Sequence, residues 1–392
     1  MFLVFQGIIA LVKRLNLVLF FLLILLLPGN SQAQVDSVKS KLNFTADFRF
    51  RLEQDWNSKK ADGTMRDDRS RLRYRLRFGS TYQYDNQSEF GLRIRTGQQN
   101  KQQDPQLTLG DGLKEFGTLP IGFEKIYFQR KHQGWKYWVG KNTFPFKKQN
   151  ELFWSDNVYP EGVALSKSID INSNFIQKTN ITAGHFILNA RSRSFGQDSY
   201  FQGFQLHTSH FAGNLQLFPA IYLFRNIPDI PDGGETFFMD YSIFHLGSSF
   251  RLLAKPNLSI KLDCYENLAE YGKLETVPAI LQDQKNGYTV GIAVGELASK
   301  GDWYFELTYA YLERFAVVDF IAQNDWARWD YSAYDSPDGR LTNLKGLEFV
   351  AAYCIDKHYT VRMKYYAVNQ LVAQGTTLET GNRIRFDLDI GF

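Results

Sequence analysis

The chain has 392 residues, 45 of them Lys or Arg and 41 Asp or Glu, so a net charge of +4 singles out no charged partner. Aromatic content is high at 16%, with 33 Phe, 21 Tyr and 7 Trp, while Met and Cys are scarce. Beyond the N-terminus almost no long helical periodicity is present, which sets the chain apart from most water-soluble proteins of its size.

The N-terminus carries the only long apolar run. Residues 15–27 follow Lys13 and Arg14 and end at Pro28-Gly29, and Ser31-Gln32-Ala33 then supplies small residues for cleavage. A basic region, an apolar stretch of about a dozen residues and an A-x-A-like site describe a secretory signal peptide. Residues 1–33 are therefore expected to be removed, with Gln34 or a neighbour as the first mature residue and 34–41 as a short periplasmic segment. The apolar residues 1–12 ahead of the basic pair are atypical, which leaves a downstream start or an uncleaved anchor as alternatives. No other segment approaches the roughly eighteen consecutive apolar residues of a membrane helix. Such a chain is periplasmic, extracellular or an outer-membrane barrel. Cys264 and Cys354 fall in separate predicted strands with no motif around them and are expected as unpaired structural thiols.

From residue 43 onward the pattern has period two. Phe44, Ala46, Phe48, Phe50, Leu52 and Trp56 share one face, and Asp47, Arg49, Arg51, Glu53 and Asp55 the other. A polar loop through Asp62-Gly63 leads to 69–84, where Leu72, Tyr74, Leu76, Phe78, Tyr82 and Tyr84 oppose Arg69, Arg71, Arg73, Arg75 and Arg77. After the Asp85-Asn86-Gln87 turn, Phe90, Leu92 and Ile94 alternate with Arg93 and Arg95. Thirteen further strands are predicted to start near Gly122, Gly134, Gly162, Asn180, Tyr200, Asn214, Met239, Asn257, Gly287, Asp302, Thr342, His358 and Asn382, about sixteen in all. Turn and strand signals blur over 166–179. In the last strand Ile384, Phe386, Leu388, Ile390 and Phe392 alternate with Arg383, Arg385, Asp387, Asp389 and Gly391. The terminal aromatic Phe392 resembles the assembly signal of Gram-negative outer-membrane barrels.

The connections alternate in length. Short turns at 85–87, 131–133, 211–213, 254–256, 299–301 and 356–357 are interleaved with long polar loops at 96–121, 143–161, 227–238, 269–286, 315–341 and 370–381. This predicts an all-β fold over 42–392: a transmembrane antiparallel outer-membrane β-barrel of about sixteen strands, with long outer loops and short periplasmic turns. A lipid-facing Arg at mid-bilayer costs about 2–4 kcal/mol, so five on one strand would cost on the order of 10–20 kcal/mol. The row Arg69 to Arg77 must face a lumen, and sixteen strands leave room for water inside.

Closure of the barrel would set Arg362 and Lys364, Arg383 and Arg385, Arg49 and Arg51, the row Arg69, Arg71, Arg73, Arg75 and Arg77, and finally Arg93 and Arg95 on one pore-lining basic arc. The opposite strands, from about residue 180 to 297, are read as offering Gln, Ser, Thr, Asn and His. The arc has two readings. Either its charges are simply solvated and paired with Asp47, Glu53, Asp55, Asp387 and Asp389, or they form a basic wall that concentrates anions or orients dipolar solutes.

A second constellation spans 140–164, GKNTFPFKKQNELFWSDNVYPEGVA, the third outer loop. A Gly-Lys pair ending a strand, then Pro-Phe, Leu-x-Trp-x-Asp and Pro-Glu-Gly-x-Ala, resembles the signature of the putative porin family of Gram-negative outer membranes. The neighbouring Arg strand also resembles alginate-export and phosphate-selective porins. The resemblance covers the first half of the chain and the terminal strand. It implies a pore for passive diffusion of small hydrophilic solutes, a localisation in the cell outer membrane, and contact with outer-membrane lipids and the barrel-assembly machinery. By analogy with general porins, the loop would fold inward, making Lys147, Lys148, Glu151, Trp154, Asp156 and Glu161 constriction candidates; the alternative is a loop packed on the rim. Porins of this size are often homotrimers, although no sequence feature demonstrates that state here.

Other signals are weak. His207 and His210 lie three apart on a strand and face opposite sides, and the six histidines show no ligand spacing, so neither metal nor cofactor is expected. No catalytic set is assignable, and nucleic-acid binding is disfavoured because the basic residues point into a lumen. The runner-up readings are an outer-membrane lipase or protease and a surface adhesin using the loops 96–121 and 315–341. A gated receptor is disfavoured because no plug-sized domain precedes the first strand.

Overall fold

A computed structural model describes residues 41–392, apart from 101, 111–116, 172, 174, 191–194, 229–237, 276, 323–324, 327–341 and 374. The expected signal peptide, the mature start at Gln34 and the segment up to residue 40 lie outside the described residues. The strands are β1 (Leu42–Lys59), β2 (Arg69–Gln83), β3 (Ser88–Thr96), β4 (Leu107–Thr108), β5 (Ile121–His132), β6 (Trp135–Lys141), β7 (Glu161–Asp170), β8 (Ile176–Asn189), β9 (Ser199–His210), β10 (Leu215–Pro228), β11 (Phe238–Leu253), β12 (Leu258–Asn267), β13 (Asn286–Gly295), β14 (Trp303–Leu312), β15 (Leu344–Cys354), β16 (Tyr359–Gln370) and β17 (Thr380–Gly391). All except the two-residue β4 are staves of one antiparallel barrel, sixteen among the described residues. Each stave pairs with its neighbours in the chain, and β17 pairs with β1 to close the wall. Closure leaves no unpaired edge, which hydrocarbon requires of a strand-built span. Among the described residues no helix is long and apolar enough to cross a membrane.

The two faces separate as the alternation demands. Phe44, Leu76, Phe90, Ile126, Phe204, Leu307 and Phe386 project outward and are well exposed, whereas Arg51, Arg73, Arg75, Arg77, Arg383 and Arg385 point inward and are buried. The short connections β2–β3, β5–β6, β9–β10 and β15–β16 lie at one end, and the long ones at the other. The blurred stretch resolves into the end of β7 and the start of β8 at Ile176, four residues before the expected Asn180.

Two departures from a plain barrel shape the interior. β3 pairs with β2 only from Arg77 to Gln83, and β4 replaces it higher up, opposite Arg73 and Tyr74. The loop between β3 and β5 thereby lies along the arginine row. On β5, the register shift opposite Arg93 and Ile94 is a bulge. A bulge adds one residue to one strand and resets its alternation. Ile121 and Phe123 face out before it and Ile126 after it, so Glu124 is turned inward and buried.

Candidate functional site: a basic arc facing an inward-folded loop

The register at the seam explains how so many guanidiniums share one wall. Arg49 lies opposite Arg75, and Arg51 opposite Arg73, on adjacent strands. Like charges directly opposed are destabilising, so the balance comes from the other side of β1, where Arg49 faces Asp389, Arg51 faces Asp387, Glu53 faces Arg385 and Asp55 faces Arg383. Arg51 Nε and Nη2 donate to Asp387 at 2.6 and 2.9 Å, the paired geometry in which Arg binds carboxylate most strongly. Arg49 Nε donates to Asp389, which also accepts from Arg362 Nη1 at 3.1 Å. Arg71 binds Glu53, Arg75 binds Asp47, and Arg69 Nη2 donates to Asp55 at 2.8 Å.

Glu53 has no solvent exposure. It lies within 4.0 Å of guanidinium nitrogens of Arg51 and Arg73, 3.1 Å from that of Arg383, and binds Arg71. Glu124, the bulge residue, is shared in the same way: Arg77 and Arg93 approach to 2.6 Å and Arg95 to 3.8 Å. One carboxylate serving three or four cations leaves the arc with more positive than negative charge. The ion pairs expected of Asp47, Glu53, Asp55, Asp387 and Asp389 are all formed, so pairing and excess charge coexist.

The third outer loop, residues 142–160, folds into the barrel and packs on the inner face of β6 to β12. Gly140 sets its departure: its φ of +113° is disfavoured for other residues, and a Cβ there would meet Ile126 O at 2.4 Å. Phe144 stacks on Trp154 at 4.4 Å, and Phe153 stacks on the wall residue Tyr222 at 4.5 Å. Phe146 fits over Gly203 of β9, where a Cβ would strike its ring at 2.4 Å. Trp138, Phe186, Phe201 and Tyr265 complete this core. The inner wall behind the loop is aromatic, which corrects the reading of that arc as mainly Gln, Ser, Thr, Asn and His. The polar description holds around Gln205, His207 and Gln216 and, at the loop tip, around His245 and Thr289.

A second inward segment supports the loop. Phe315, Ala316, Val317 and Val318, after β14, are fully buried, and Ser155 N donates to Ile321 O at 2.9 Å. Arg314, also fully buried, donates to Asp319 at 3.0 Å and Thr342 at 3.1 Å. From the β3–β5 loop, Gln103 Nε2 donates to Phe320 O at 2.5 Å, and Gln102 accepts from the Tyr159 backbone.

Between arc and loop lies a cavity of about 640 Å³. Arg49, Arg51, Arg71, Arg73, Arg75, Arg77, Arg362, Lys364, Arg383 and Arg385 line it from the wall, and Lys148, Glu151 and Asp156 from the loop. The remaining candidates are elsewhere. Arg69 is held by Asp55, Arg93 by Glu124 beneath the Tyr159 ring, and Arg95 by the Thr96 carbonyl. Lys147 is fastened through its backbone to Gln205. Trp154 is fully buried in the aromatic core with its Nε1 donating to Val158 O at 2.8 Å, so it packs the loop and does not face the cavity. Glu161 begins β7 and pairs with Lys141. Tyr304, Glu306, Glu348, Asp104, Asp325 and Trp326 also line the cavity and were not among the candidates. Asp104 and Asp325 come from loops, where no periodicity marks them; Glu124 is betrayed only by the broken alternation between Phe123 and Ile126. Among the described residues no His, Cys, Asp and Glu cluster could hold a metal ion.

Residues 42–238, half of the chain, match the family described as putative porin. The chain belongs to the putative porin family. Among solved structures, the porin resembles the high-pH structure of Pseudomonas putida OprB, with a TM-score of 0.54 and 14% identity over 90% of this chain and 94% of that one. An engineered protein of asymmetric conductivity gives a TM-score of 0.50 at 12% identity over 90% and 100% of the two chains, and a mutant Rh. blastica porin 0.48 at 12% over 89% and 100%. No curated protein matches the sequence. Family and fold are those of a channel rather than an enzyme.

Proposed function

We propose that this porin is a passive diffusion channel of the Gram-negative outer membrane for small hydrophilic solutes, biased toward anions by the arginine arc. The observation that carries the proposal is the sharing of Glu53 and Glu124 among several guanidiniums beside a cavity that the third loop has narrowed. Screening lengths are about 8–10 Å at physiological ionic strength, so a fixed charge acts strongly on a solute only in a narrow section. The inward loop provides that section, and Lys148, Glu151 and Asp156 are its polar edge. Planar-bilayer recording in a salt gradient tests this. A reversal potential on the anion side is expected, and a silent or cation-selective barrel would overturn the reading.

The outward apolar face fits outer-membrane lipid, and Phe392, at the end of the closing strand, fits an assembly signal read by the barrel-assembly machinery. The mature chain is proposed to start at or near Gln34. N-terminal sequencing of membrane-extracted protein tests this, and a chain still starting at Met1 would contradict it.

A further inference from the structure

Aromatic stacking seats the body of the third loop, but its tip meets the far wall around one carboxylate on which both of its amide side chains converge. Asp263 projects inward from β12 and is 1% exposed. Its Oδ1 accepts from His245 Nε2 at 2.8 Å. Its Oδ2 accepts three bonds: from Asn150 Nδ2 at 2.7 Å, Gln149 Nε2 at 2.9 Å and Thr289 Oγ1 at 3.1 Å. Two of these four donors belong to the loop and two to the wall. Gln149 Nε2 also reaches the carbonyls of Leu262 at 2.8 Å and Ser248 at 3.0 Å. The His245 ring lies parallel to Tyr265 of the wall and Phe153 of the loop, with interplanar angles of 10° and 5°, so the loop covers the His245–Asp263 hydrogen bond.

A buried carboxylate is tolerated only when its lone pairs are satisfied, and here satisfaction requires the loop to be seated. Conversely, the loop amides and Thr289 converge on a group that only accepts. We propose that Asp263, oriented by His245, is the anchor that fixes the tip of the third loop and so sets the width of the constriction. Its effect on current rests on the channel reading above; the anchoring does not. The requirement is for an acceptor, not for shape. Asp263→Asn is isosteric, yet it turns an NH₂ donor toward either His245 or the three donors at Oδ2.

The test reads loop seating without current. In a Cys264→Ser, Cys354→Ser barrel, a Leu152→Cys thiol reports on the loop core, because Leu152 is 1% exposed. Maleimide labelling of that thiol is expected to accelerate about tenfold or more when Asp263→Asn or Asp263→Ala is added, as local opening becomes accessible. Resistance of the unboiled barrel to SDS confirms folding. If the Asp263 variants do not fold, Gln149→Ala with Asn150→Ala removes the two loop donors while leaving the wall intact, and the same acceleration is expected. Unchanged protection in a folded variant of either kind overturns the anchor. In bilayers, Asp263→Asn should raise conductance, and an Asn150→Cys, Thr289→Cys disulfide should return it to the parental value. A raised conductance that the cross-link leaves in place counts against the anchor. A parental barrel that conducts nothing refutes the channel reading, and the labelling rates alone then decide the anchor.

Discussion

Arg383 Nη2 on the last strand lies 3.1 Å from Glu53 Oε1 on the first, with both side chains almost wholly buried at the seam where the barrel closes. Glu53 therefore serves structure and charge at once: it joins the two ends of the wall and holds several guanidiniums beside a cavity. Glu53→Gln should lower stability in detergent denaturation by about 3 kcal/mol, the low end of the cost of leaving one member of a buried ion pair alone. The same change should increase anion selectivity, because the arc gains net positive charge. A variant less stable but no more anion-selective would separate the two roles.

Replacing Arg71, Arg73 and Arg75 by Gln should lower the anion-to-cation permeability ratio by about twofold or more, since these side chains line the narrowed section where screening is weakest. Folding should survive, because each of the three bonds a carboxylate that other arginines or water can still meet. Reversal potentials measured before and after the triple substitution decide this.

Deleting residues 147–157 should raise single-channel conductance and weaken selectivity together. The deleted stretch carries Lys148, Glu151 and Asp156 out of the cavity and removes Phe153 and Trp154 from the aromatic core. If both quantities stay unchanged, the loop does not limit the pore.

Trp154→Ala is expected to act by loosening, not by charge. Truncating a fully buried aromatic costs about 3–5 kcal/mol. Noisier current with a nearly unchanged reversal potential is the expected signature. A clean shift in reversal potential would instead put Trp154 at the pore surface.

Arg314→Ala removes the bonds to Asp319 and Thr342 that brace the buried segment after β14. The Ser155 to Ile321 contact should then fail, and proteolysis of the third loop should quicken. A digestion pattern identical to that of the parent would show that the segment is held by packing alone.

The sequence exposed the wall better than its contents. Along β1, β2 and β17, alternation is unbroken because one face meets lipid and the other meets charge, so strand count, facing and the seam could be read residue by residue. Where the inner face is also apolar, as on β10 with Leu217, Phe218, Ala220, Ile221, Tyr222, Leu223 and Phe224, period two disappears and the wall reads simply as hydrophobic. That loss of pattern is itself the mark of a surface covered on both sides, here by the third loop and the segment after β14. The analogy with inward-folding porin loops makes Trp154 a constriction candidate, but a loop entering a barrel has its own inside and outside, with no fixed period to tell them apart. Asp263 sits in a regular strand, and nothing local marks it as bound to a loop more than a hundred residues away.

The β1–β17 pairing has a consequence for time rather than for charge. Arg51 and Asp387 touch although 336 residues separate them. Every other neighbouring pair of staves can meet as soon as the next hairpin emerges, but the first stave must wait for the last. Contacts this distant in the chain slow folding, and until they form β1 stays an open edge that any other strand could pair with. A chain cut before β17 can build at most fifteen staves and possesses no closed state. Closure of the wall thus waits on delivery of β17, and until then β1 has to be kept from pairing wrongly.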